Sequence, residues 1–183
     1  MSTMDVDSQS SSHRLRDAIR QVRERYDRLH RGQTAALRRC RTAEDVALEG
    51  SYWQIGGSLA QEQRHLPHVV LLFPLAAHVN NERFSVGRYL RRELENSPGA
   101  VLRIRRVLDS RDRDELDHRM RGLLRLAAGN GSRVDWGTLG TDLLWFFAES
   151  GSVRRRWAQD FFAPSAEGGP SGPSSDSAAH LNA

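Results

Sequence analysis

Arginine is the side chain with the most chemistry to offer in this sequence: all 27 basic residues are arginine and none is lysine. A guanidinium stays protonated and can hold a phosphate through two parallel hydrogen bonds. In the stretch AVLRIRRVLDSRDRDELDHRMRGLLRL (residues 100–126), Arg103 and Arg106 stand three apart and Arg121 and Arg125 four apart. On a helix each pair shares a face. Most of these arginines have no acid four residues ahead to neutralise them. The acids Asp112, Asp114, Glu115 and Asp117 gather near a helix start, where the macrodipole accounts for them. Arg103, Arg106, Arg121 and Arg125 are therefore candidate contacts to a nucleic-acid backbone, with Arg91, outward on the preceding helix, as a further one. The competing reading is a solvated set of helix faces with internal ion pairs.

Charge along the chain is uneven. Residues 13–41 hold ten arginines and three acids, residues 83–125 twelve and seven, and residues 42–82 one and five. Two basic segments flanking an acidic one suit a polyanion partner. Base reading by a helix-turn-helix would call for Asn, Gln or Ser among the recognition-helix arginines, and these helices offer arginine and acid instead. Backbone contact is the expected mode.

Other chemistry is thin. No phosphate-binding glycine loop, nuclease-type carboxylate cluster or nucleophile–base pair is visible, so no enzyme and no cofactor are expected. His65 and His68 stand one turn apart but lack a third ligand at sensible spacing, so no metal is expected either. The one cysteine, Cys40, forbids an internal disulfide and reads as a buried small hydrophobe, in keeping with a cytoplasmic protein. The longest apolar run, Val69 to Val79, falls short of the ~20 residues needed to span a bilayer, so no membrane association is expected.

The elements that must position the arginines are helical throughout. Leu15, Ile19, Val22, Tyr26 and Leu29 make the stripe of a first helix, ended near Gly32, with Glu24 and Arg28 spaced as an i,i+4 pair. A shorter helix runs through Leu37 and Cys40, and Thr42 with Asp45 starts the next. GSYWQIGG (50–57) reads as an irregular link whose Tyr52 and Trp53 plug the core. Residues 61–78 read as a central helix kinked at Pro74. Ser85 caps a helix with Val86, Leu90 and Leu94 inward, and NSPG (96–99) is a turn with Pro98 as a first helical residue. Val101, Ile104, Val107 and Leu108 form one buried face. Asp112 and Glu115 form a capping box ahead of a helix that buries Leu116, Met120, Leu123 and Ala127. Trp136, Leu139, Leu143 and Phe147 form the last stripe, with Trp145 opposite, set between helices or against a partner. No strand pattern competes. The expected fold is all-α, a helical bundle of two packed sub-bundles (13–81 and 82–162) between disordered tails at 1–12 and 163–183.

The order of motifs resembles a known family. Ser85-x-Gly87-Arg88-x-Leu90, the RIRRVL helix, the Asp-x-x-x-Leu helix ending in LLRL, the VDW cap and the closing RRRWAQDFF are similar to the small subunit of the type I-E CRISPR surveillance complex, Cascade (the CasB family). The likeness runs over residues 15–162. It implies a non-enzymatic subunit, forming a head-to-tail dimer and touching other Cascade subunits, the guide RNA and the target DNA. It also implies that the subunit holds the displaced strand in a basic groove and so stabilises the R-loop. Arg88, Arg103, Arg106, Arg119 and Arg121 fall on the family's basic positions. A pure assembly scaffold, with Trp145 and Trp157 at interfaces, and a stand-alone helical DNA-binding regulator are the alternatives.

Overall fold

The computed structural model describes residues 3–81, 84–94, 99–128 and 133–163. They form eleven α-helices and one two-residue strand pair. α1 (Thr3–Asp27) begins inside the segment expected to be a tail and buries the anticipated Ile19, Val22 and Tyr26. It stops at Asp27, short of Gly32, which lies inside α2 (Arg31–Arg39) behind an N-cap supplied by His30. Glu24 and Arg28 do pair, at 3.8 Å. Thr42 and Asp45 form a reciprocal capping box at the start of α3 (Ala43–Leu48).

The next segment departs most from expectation. The GSYWQIGG link is α4 (Gly50–Gly56), because Tyr52 and Ile55 bury one helical face. Trp53 is left 48 % exposed, its Nε1–H donating to the Ala47 carbonyl at 2.9 Å. The expected single helix over 61–78 is instead α5 (Ser58–Glu62), α6 (Leu66–Leu72) and a 3₁₀ turn at Phe73–Leu75. Proline explains the breaks: Pro67 starts α6, and Pro74, which has no N–H to donate, ends the α geometry and leaves the tighter turn. Strand β1 (Ala77–His78) then pairs in parallel with β2 (Arg133–Val134). Two residues are too few to display a period of two, which is why no strand was legible.

The second half supplies α7 (Val86–Leu94), α8 (Ala100–Leu108), α9 (Arg113–Ala128), α10 (Trp136–Trp145) and α11 (Ser152–Phe162). Ser85 caps α7, its Oγ accepting from the Arg88 N–H at 3.3 Å. In α8, Ile104 and Val107 are buried and Leu108 partly so, but Val101 is 47 % exposed at the helix's free end. Asp112 accepts from the Glu115 N–H at 2.8 Å, while Glu115 reaches back to the Arg111 N–H rather than to that of Asp112. The expected Pro98 turn and the Ala127 side chain lie outside the described residues.

The buried side chains form one continuous cluster running from Ile19 to Phe161. α10 is its centre, with Trp136, Leu139 and Leu143 inside and Trp145 52 % exposed. α1 crosses α10 closely enough that a Cβ on Gly140 would stand 2.8 Å from Ile19. Trp157 is fully buried against Phe146, which makes it core rather than interface. Among the described residues no helix is long and apolar enough to cross a membrane.

Candidate nucleic-acid interface

α9 carries the site because its apolar stripe is narrow. Leu116, Met120, Leu123 and Leu124 face the core, leaving more than half the helix circumference to polar residues. Arg119 and Arg121 stand two residues apart, so they leave the helix on opposite flanks, about one helix width (~10–12 Å) from each other.

On one flank a groove of about 550 Å³ opens between α8 and α9, lined by Arg103, Arg106, Glu115, His118, Arg119 and Leu126 among others. Its single carboxylate, Glu115, is already paired with Arg119. The side chains of Arg103 and Arg106 make no hydrogen bond or ion pair among the described residues. Arg106 leaves α8 opposite its buried Ile104 and Val107 and is exposed, whereas Arg103, four residues from Val107, is half-buried at the edge of that face and does not oppose it as the spacing suggests.

On the other flank a groove of about 570 Å³ is lined by Arg38, Arg39, Arg41, Arg121 and Arg125, with Cys40, Leu71, Pro74 and Leu75 as its floor. No acid lines it. Arg121 donates to the Cys40 carbonyl at 3.2 Å, closing the C-terminal end of α2. Burial draws its pKa down, as does the neighbouring Arg125, while Asp117 opposes them; an arginine nonetheless stays charged at neutral pH. Cys40 is half-buried, its thiol pushed up chiefly by burial, and its Sγ–H is directed at the Ala36 carbonyl.

Five of the seven candidate arginines thus line the two grooves beside α9: Arg103, Arg106 and Arg119 on one flank, Arg121 and Arg125 on the other. Arg88 and Arg91 line neither. Arg88 is exposed on α7, and Arg91 donates to the Ala163 carbonyl. The sequence reading missed Arg38, Arg39 and Arg41. Their signal was present in the strong positive excess of residues 13–41, but nothing local says that the end of α2 meets the flank of α9, some eighty residues on.

Most other arginines of the fold are bound into it. Arg20 pairs with Asp135, Arg23 with Asp27, and Arg156 with Asp142. Arg113 caps α10 at the carbonyls of Leu143 and Leu144, at 3.1 and 3.0 Å.

Comparison with known proteins agrees with this architecture. Residues 33–162 match the family model described as CRISPR-associated protein Cse2. Among solved structures, the chain is similar to TTHB189, a CRISPR-associated protein of the Cse2 family from Thermus thermophilus. The TM-score is 0.60 at 22 % identity, over 84 % of this chain and 98 % of that one. At that identity the likeness speaks for the fold. No curated protein matches. Since the family match spans well over half of the sequence, including every helix from α3 to α11, the chain belongs to the CRISPR-associated Cse2 family, the CasB small-subunit family of type I-E Cascade that its motif order resembles.

Proposed function

We propose that the chain is a non-catalytic small subunit of a type I-E effector complex that grips nucleic-acid backbone through the two arginine grooves flanking α9. The observation that carries this reading is the pair of grooves themselves, which gather eight arginines around one carboxylate that is already paired. Unneutralised guanidinium groups held by packed helices are pre-organised phosphate ligands and are indifferent to base sequence. Forming an R-loop is nearly balanced in base-pairing energy, so contacts to the displaced strand or to the hybrid's backbone can tip it. In this reading the partners are guide RNA, target DNA and the other Cascade subunits, the subunit self-associates head to tail, and it works in the cytoplasm.

The test is a reconstituted complex carrying Arg103→Ala/Arg106→Ala. Assembly should be unchanged and R-loop lifetime shortened. For the isolated chain, the slope of log affinity for single strands against log salt should shrink by about 1.4 for two lost contacts, at ~0.7 per phosphate. Wild-type lifetime and slope would overturn the role of this pair. A second reading, assembly scaffold, is favoured on other faces by the exposed Leu48 (82 %), Trp53 and Trp145. If the same double variant fails to assemble, its arginines meet acidic protein surfaces and not phosphate.

A further inference from the structure

His68 finds in the tertiary structure the ligands that its own helix lacks. His68 in α6, together with Asp114 and Asp117 in the first turns of α9, places ligand atoms all within 4.8 Å of one another. His68 Nδ1 stands 2.6 Å from Asp117 Oδ2. Asp117 is only 6 % exposed, whereas Asp114 opens to solvent.

Two carboxylates drawn this close repel one another, and buried Asp117 has a bonded cation beside it only while His68 is protonated. A guanidinium would be the usual remedy, and three stand nearby. Arg113 is committed to the carbonyls of Leu143 and Leu144, Arg121 to that of Cys40, and Arg64 to His65 Nε2 at 2.9 Å. Among the described residues no arginine bonds to either carboxylate, and Asp114 has no side-chain partner.

We infer that His68, Asp114 and Asp117 form a binding site for one divalent transition-metal ion of the zinc class, bridging α6 and α9. One imidazole nitrogen and two carboxylates suit such an ion in donor type, and the two negative charges balance it. Bonds of about 2.0–2.2 Å put tetrahedral ligand atoms roughly 3.3–3.5 Å apart. The widest pair must close by up to about 1.5 Å, which a rotamer change of exposed Asp114 can supply, and the His68–Asp117 hydrogen bond must release its proton and open by about 0.7–0.9 Å. Water completes the coordination on the open side. The ion would tie the arginine-bearing helix to the core, and the site stands independently of any nucleic-acid role. The charges of Arg64, Arg113 and Arg121 weaken it, so binding in the micromolar range is expected.

The full-length chain, stripped of metal, is titrated with Co²⁺ by visible absorption and with Zn²⁺ by calorimetry. One equivalent should bind and should raise the unfolding temperature. Asp114→Asn, an exposed change that leaves the circular dichroism unaltered, should weaken binding at least about tenfold and remove the thermal shift. His68→Gln should do the same where it folds. Absence of a saturable equivalent in the wild type, or wild-type binding by Asp114→Asn, overturns the site.

Discussion

Along the seam between α1 and α10, arginines are enclosed by the fold, whereas in the grooves flanking α9 all but Arg119 are left without a paired acid among the described residues. Arg23 is 6 % exposed; it donates to the carbonyls of Phe73 and Ala76 at 2.7 and 3.0 Å, pairs with Asp27, and lies against the rings of Tyr26, Phe73 and Trp136. Arg20 reaches the fully buried Asp135, which also caps α10 through the Thr138 N–H and ties down the Asn81 N–H. Beside α9, by contrast, one carboxylate serves eight arginines. Charge by itself therefore says little about an arginine's work. What decides it is whether the fold brings a buried acid or a free carbonyl within reach.

That contrast can be broken by mutation, and the largest effect is expected at Arg23. Arg23→Ala strands the Phe73 carbonyl, takes one of two side-chain donors from that of Ala76, and empties a slot among three rings. It should cost about 3 kcal/mol in urea unfolding, since hydrogen bonds to charged groups contribute ~1.5–3 kcal/mol each when lost from buried sites. Gly137→Ala comes next. Its Cβ would stand 2.8 Å from the Arg16 carbonyl oxygen, so α1 and α10 must move apart, at a cost of about 1–3 kcal/mol. A helix crossing this close leaves no slack.

Asp135 sharpens the comparison through pH. Burial alone would push its carboxyl up, but the N–H groups of Asn81 and Thr138 and the Arg20 guanidinium together hold it below the ordinary value. A depressed folded-state value means the stabilisation is complete above the unfolded value of about 4 and is lost as pH falls through the folded one. The urea midpoint should accordingly drop on acidification below about pH 4, and Asp135→Asn should flatten that limb. An unchanged acid limb in the variant would show that Asp135 is not held by these partners. The smallest effect is expected on the α9 side: Arg39→Ala/Arg41→Ala should change unfolding free energy by no more than about 0.5 kcal/mol. Destabilisation on the scale of Arg23→Ala would place these arginines in the structural class and remove half of the proposed interface.

The helices were legible wherever periodicity and caps agree. The Thr42–Asp45 box, the Ser85 cap and the Val86, Leu90 and Leu94 face of α7 all stand as the residues imply. Legibility failed where two local signals competed. Residues 61–78 are apolar enough for one helix, but Pro67 and Pro74 divide them. The glycines around Tyr52 suggest a loop, yet burial of Tyr52 and Ile55 outweighs their low propensity. On the candidate site, the pairing of Arg103 with Arg106 could be seen from their three-residue spacing on one short helix, although Arg103 stands half-buried at the edge of the apolar face and only Arg106 opposes it. The arrival of Arg38, Arg39 and Arg41 beside Arg121 could not.

The sequence by itself determined that this chain is helical, which faces its helices bury, and where its positive charge is concentrated. Those properties depend on neighbours three and four residues apart. Only the tertiary structure decided which arginines remain free and which acids converge. Arg20 meets Asp135 across 115 residues, Arg23 meets the Phe73 carbonyl across 50, and His68 meets Asp117 across 49. Pairing at that range follows from how whole helices pack, and no local spacing encodes it.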